Sequence, residues 1–317
     1  MDGVLATTIV REDTMIIQEF DDFSLWVYYI VDEVCQQLSP LLHRPGPKPT
    51  TASDSEVLAM AIIGECRSID METDMLSFWS SHRDLFPHLP SQSRFNRRRR
   101  SLLPLFNLIR CAILQLLDVA QETMCVIDSL PVPAVSFHLA PQARGDWAEH
   151  GAAFGKVSSK KQTIYGYKLQ VLVTLGGVVL DFELAPANAS DLSVGEELLR
   201  EHTGLTVLGD KAYISEEVQA GLRSKRDIRL LSLPRRNMRV QMPQVVCEAI
   251  NGARQVIETV NDQLTEQFNL ERNHAHSFWG LCTRLMTKLT AHTLCVYLNR
   301  LLGNADFLQI KHLAFPN

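Results

Sequence analysis

Near residue 121 the hydrophobic period of this chain changes, and that change limits the folds open to it. Up to residue 120, apolar residues recur every three or four positions, the period of helices that bury one face. "SLWVYYIVDEVCQQL" (24–38) and "LLPLFNLIRCAILQLLDVA" (102–120) read as helices, the second with Pro104 near its start, where a missing amide hydrogen costs nothing. "SDSEVLAMAIIGEC" (53–66) opens with Ser53 and Glu56 at the spacing of a capping box. Four prolines and a glycine make "SPLLHRPGPKPT" (39–50) a linker.

Beyond residue 121 short strands take over. "TMCVID" (123–128) is an apolar run ending on Asp128, and Pro131 and Pro133 are expected to stop that strand. "YGYKLQVLVTL" (165–175), Gly176, Gly177 and "VVLDFEL" (178–184) read as a hairpin on a glycine turn. A helix over 190–202 with Ser190 as candidate cap, the strand "TVLGD" (206–210), a helix near 215–224 and the strand "DIRLLSL" (227–233) follow. Long helices then fill 247–268 and 276–301. The order predicts an α/β fold, a mixed sheet covered by helices, behind an all-helical N-terminal domain. The expected boundaries are 1–120 for the helical domain, 121–303 for the α/β domain and 304–317 for a C-terminal tail. The helical domain suits DNA binding, and a purely structural bundle fits the same pattern.

Composition removes several classes. No apolar run approaches the roughly 18–20 residues of a membrane span, and Asp2, Arg11, Glu12 and Asp13 do not form a signal peptide. A soluble cytoplasmic protein without a membrane partner is expected. The seven cysteines are scattered and never form a CxxC pair, so neither a disulfide framework nor a zinc knuckle is expected. The net charge of −5 hides an asymmetry: residues 1–90 carry −10 and residues 91–317 carry +5. Positive charge gathers in "RFNRRRR" (94–100), "GKVSSKKQ" (155–162) and "RSKRDIRLLSLPRRNMR" (223–239). Any one run taken singly reads as a solvated face, and such clusters suit phosphate contact. The candidate DNA contacts are Arg97, Arg98, Arg99, Arg100, Lys160, Lys161, Lys168, Lys211, Arg235, Arg236 and Arg254.

Asp128 and Asp210 each end an apolar strand. Side by side and parallel, those strands bring both carboxylates to one sheet edge, where α/β sites form; Asp210 alone can equally be a turn cap. In "GARQVIETVNDQL", Val256, Ile257, Val260 and Leu264 form an apolar stripe, and Arg254, Glu258 and Asp262 follow at i, i+4 on its flank. Glu258 is then either a surface partner of Arg254 or a third acid beside the strands. Converging carboxylates repel unless protonated or neutralised by cations. Mg2+ takes oxygen ligands and leaves room for phosphates, and a pair of such ions suits phosphodiester chemistry. Asp191 reads as a first-turn helix residue or a supporting acid. His274 and His276, two apart, do not share a helix face and are not taken as metal ligands.

"VIDSLPV", "YGYKLQ", "LAPANASD", "LGDKAY" and "RQVIETVNDQL", in this order, resemble the successive blocks of DDE transposases from bacterial insertion sequences, which share a ribonuclease H-like catalytic fold. The resemblance covers roughly residues 123–300. It implies that Asp128, Asp210 and Glu258 are the catalytic, metal-binding triad for two Mg2+ or Mn2+ ions. Their separations of 82 and 48 residues leave no room after Asp210 for the large β insertion of some relatives. Arg254 and Glu258 match the arginine and glutamate of the family's signature, Tyr213 stands near its tyrosine, and Thr265 replaces its lysine. The implied activity is binding of terminal inverted repeats, strand cleavage, and transfer to target DNA by a homodimer on paired ends. A ribonuclease H-like nuclease or resolvase without strand transfer, and a non-catalytic DNA-binding relic, are the alternatives.

Overall fold

The computed structural model describes residues 16–38, 51–157, 161–234, 243–304 and 308–315. The chain forms two compact units, Met1–Leu117 with Leu264–Asn317, and Asp118–Gln263.

The first unit is helical: α1 (Phe20–Leu38), α2 (Asp54–Cys66), α3 (Glu72–Ser80), α4 (Gln92–Ser101), α5 (Leu103–Leu116) and, from the C-terminal segment, α9 (Phe278–Leu301) and α10 (Lys311–Ala314). On α1, Phe23, Val27, Ile30, Val31 and Val34 are buried, the stripe its sequence spacing predicts. The capping box at α2 forms as expected: Glu56 N–H donates to Ser53 Oγ, and the Glu56 carboxylate accepts from the Ser53 N–H. Most of α9 is buried, and Thr287, Thr290 and Thr293 satisfy their hydroxyls on the carbonyl four residues back. The expected α/β boundary at 303 therefore differs from the observed grouping. Most side chains of α9 are buried against α2 and α5 of the first unit instead. The expected tail closes on this unit too, with Leu313 and Ala314 buried and the Ala314 carbonyl accepting from Arg67 at 2.6 Å.

The second unit is the expected mixed α/β sheet. Its strands are β1 (Met124–Val135), β2 (Ala153–Val157), β3 (Gln162–Thr174), β4 (Val179–Pro186), β5 (Thr206–Gly209) and β6 (Arg229–Ser232). Strand β3 pairs antiparallel with β1, and on its far edge with β2 and then β4. Strand β5 runs parallel between β1 and β6. The β3–β4 hairpin turns at Gly177, whose φ of 76° a side chain would strain. Helices α6 (Asp191–Leu199) and α7 (Glu216–Arg226) share one face with Cys125, Ile127, Leu172, Val207 and Leu230, while α8 (Gln244–Asp262) packs on β1 and β5. This is the ribonuclease H-like class that the sequence resemblance implied.

Two strand expectations fail for physical reasons. β1 does not stop at Asp128 but continues through Pro131 and Pro133, paired with Lys168 and Gly166. Thr123 points its carbonyl at β5 and Met124 points its carbonyl at the β3 side, so odd-numbered backbone groups face β5. β5 pairs only as far as Val126 opposite Leu208, so both prolines turn their missing N–H toward an edge that β5 has already left. The basic run around Lys156 was not read as a strand, yet β2 forms there, with Gly155 so close to the Ala187 carbonyl that a Cβ would sit 2.1 Å from it. Among the described residues no helix is long and apolar enough to cross a membrane.

Candidate active site

Extending the β1–β5 register two residues beyond Val126 and Leu208 sets Asp128 beside Asp210. Alternation fixes which way each neighbour points. Ile127 and Ser129 face α6, so Asp128 faces α8. Asp210 Oδ1 accepts the Ala212 N–H at 2.7 Å and caps the short turn Lys211–Tyr213. The bland capping role and the site position therefore coincide in one residue, whose second oxygen is left for other partners.

From α8, Asn261 Nδ2 donates to Asp128 Oδ2 at 3.0 Å. Burial pushes the Asp128 carboxyl up to about 6; the Ser129 N–H and Arg254 pull it down, and the charges of Asp210 and Asp191 push it up. Arg254 and Asn261 thus both act on Asp128, and Glu258 lies between them on the same helix face, at i+4 from one and i−3 from the other. The Glu258 side chain itself is 62% exposed and stands 3.9 Å from Arg254. So Asp128 and Asp210 are brought together, while the Glu258 carboxylate stands out beside Arg254. Among the described residues no group of three His, Cys, Asp or Glu side chains is gathered to hold a metal ion.

Behind the pair lies a second layer of polar contacts on the α6 face. Asp191 Oδ1 accepts from Ser129 Oγ at 2.9 Å and from Lys168 Nζ at 2.7 Å. Gln170 Nε2 donates to the Asp128 carbonyl at 3.3 Å and contacts the Tyr213 hydroxyl, and burial raises that phenol's pKa. Two buried oxygens here, Gln170 Oε1 and Asn261 Oδ1, have no hydrogen-bond partner among the described residues.

The expected DNA contacts separate in the structure. Arg99 is buried and its Nη2 lies 2.5 Å from Glu65; Arg98 holds Asp54 at 2.7 Å and the Ala52 carbonyl at 2.6 Å. α4 turns both of these side chains inward. Lys168, only 14% exposed, is taken by Asp191. Arg97, Arg100, Lys161 and Lys211 are exposed, and Arg254 is half-buried. Lys160, Arg235 and Arg236 lie outside the described residues. His274 and His276 are in the segment before α9, outside any helix, and both are exposed. Asn261 and the Ser129–Asp191–Lys168 contacts were missed from sequence. Asn261 had a signal, the i+7 position from Arg254 on one stripe; the Asp191 contacts had none, since 62 and 23 residues separate the partners.

Comparison with curated proteins and with solved structures found no match. A family model described as a transposase DDE domain matches residues 121–278, a span that contains both aspartates, Asp191 and the whole Arg254–Asn261 face. Residues 121–278 of this chain are a transposase DDE domain, which makes DNA its substrate class.

Proposed function

We propose that this transposase binds the inverted terminal repeats of its element, cuts a strand to expose a 3′-hydroxyl and joins that end to target DNA. The observation that carries the reading is the Asp128–Asp210 pair facing the Arg254–Glu258–Asn261 side of α8. The residues fit a divalent-cation site. Asp128 is held above the usual carboxylate range by burial and by neighbouring acids, so a cation would relieve a repulsion that the protein leaves standing. Asn261 Nδ2 occupies an Asp128 oxygen in the manner of a placeholder, leaving its own Oδ1 unpaired. Asp128, Asp210 and Glu258 would hold two Mg2+ or Mn2+ ions, the third by a turn of the Glu258 side chain away from Arg254. When bound, such ions activate a water or 3′-hydroxyl and stabilise the leaving oxygen of a phosphodiester.

The chain's own residues position the rest. Arg254, released from Glu258, presents its guanidinium to a phosphate at the reacting end. Exposed Lys211, next to Asp210, adds a second backbone contact, and Lys168 fixes Asp191 and Ser129 behind the pair. The Gln170 bond to the Asp128 carbonyl ties β3 to β1 under the site, and its contact with Tyr213 ties β3 to the turn that follows Asp210.

The test is a labelled DNA fragment carrying the inverted repeats that flank the coding gene, incubated with Mg2+ or Mn2+. Wild type is expected to cut and join it; Asp128→Asn, Asp210→Asn and Glu258→Gln are expected to bind it and lose at least about 1,000-fold in cleavage. Cleavage without joined products moves the assignment to a nuclease, and undiminished cleavage by Asp128→Asn removes the site. The proposed homodimer on paired ends predicts two chains per complex by light scattering; one chain per complex contradicts it.

A further inference from the structure

The arginines at 97–100 are divided by helical geometry. Arg98 and Arg99 turn inward to Asp54 and Glu65, while Arg97 and Arg100, three residues apart, share the outer face of α4 and make no ion pair among the described residues. Within the helical unit these two line a cleft of about 510 Å³ together with Asn96, Leu103, Trp279 and Thr283. Trp279 and Thr283, at i and i+4, present one face of the first turns of α9. The indole is 53% exposed and is braced by the Phe278 ring at 5.4 Å, near-perpendicular at 72°. None of the residues lining the cleft is acidic. An exposed indole beside two unpaired guanidiniums can take a flat π-face and two phosphates at once.

We propose that the Arg97–Arg100–Trp279 cleft binds an unpaired nucleotide of single-stranded DNA, its base stacked on the Trp279 indole and its flanking phosphates on the two guanidiniums. This rests on DNA being the substrate and names the form of DNA the helical unit takes. A base inside a duplex has both faces covered by its neighbours, so duplex DNA can engage the arginines but leaves the indole in water. The volume falls in the range of small-ligand clefts, about 300–1,000 Å³. Stacking of this kind is indifferent to sequence, so the cleft reads strandedness rather than base identity.

The test uses the full chain and one labelled oligonucleotide, offered single-stranded and as its duplex, with affinity followed by fluorescence anisotropy over a salt series. Trp279→Ala is expected to weaken single-strand binding about tenfold and to change duplex binding by less than about twofold; Trp279→Phe retains most of the affinity. Arg97→Gln with Arg100→Gln weakens both forms and flattens the dependence of log K on log salt by about 1.4 for the single strand. Equal effects of Trp279→Ala on the two forms, or none on either, overturn the cleft. If wild type cuts and joins repeat DNA while Trp279→Ala binds both forms normally, the cleft falls and the transposase reading stands. If wild type binds DNA in neither form, both fall together.

Discussion

Glu65 in the helical unit and Asp128 in the sheet unit are both carboxylates set away from water, and burial raises the pKa of each. Glu65 has its answer inside the fold: Lys288 and Arg99 touch its two oxygens at 2.5 Å each, and these charges with Arg284 hold its carboxyl below the ordinary range. Asp128 has an amide and a distant guanidinium on its side and two more acids against it, and its carboxyl stays high, about 6. One cluster is neutralised by the chain itself; the other is left short of positive charge. Buried charge that a protein balances internally holds structure, whereas buried charge left unbalanced is a place for something not encoded in the chain.

Breaking the balanced cluster gives the largest stability effect. Lys288→Met leaves Glu65 buried with one partner fewer and is expected to cost about 3–5 kcal/mol in urea unfolding, and adding Glu65→Gln should return part of it. A loss below about 1 kcal/mol would mean that Glu65 is not held as described.

The unbalanced cluster predicts the opposite sign. Asp128 has a folded pKa above its unfolded value, so the folded state binds the extra proton and wild-type stability falls as pH rises through the window from about 4 to about 6. Asp128→Asn removes that fall. At pH 7, without divalent ions, the variant is expected to be more stable than wild type by about 1–3 kcal/mol, read as a higher Tm. A destabilised Asp128→Asn would put the carboxylate in the structural class with Glu65. A smaller effect sharpens the same contrast: Arg254→Gln removes a charge that lowers the Asp128 pKa, so that pKa should rise by less than about one unit in a carboxyl-carbon NMR titration.

Local chemistry made much of the fold legible. The Ser53–Glu56 box, the stripe of α1 and the Gly177 turn depend on residues within a few positions of one another. The Asp128–Asp210 juxtaposition was legible as well, because both acids follow short apolar runs that a parallel pairing aligns. What could not be read depends on partners far along the chain. Arg99 looks like the rest of its basic run until Glu65, 34 residues earlier, takes it as a partner; Lys288, 223 residues after that glutamate, holds the other oxygen. Pro131 and Pro133 signalled a strand end because nothing local says that β5 stops short and opens that edge. Glu258 lies between Arg254 and Asn261 on α8, yet nothing local says that its side chain stands out to solvent beside Arg254.

The most direct test of the central claim is a Mn2+ titration of wild type and Asp128→Asn, followed by the manganese electron-spin resonance signal and by Tm. Two ions are expected on wild type, with a Tm rise equivalent to about 2.7 kcal/mol at a hundredfold excess over Kd, and neither ion binding nor a rise in the variant. Equal binding and equal Tm shifts in the two proteins would contradict the assignment of the unbalanced carboxylates as the metal site.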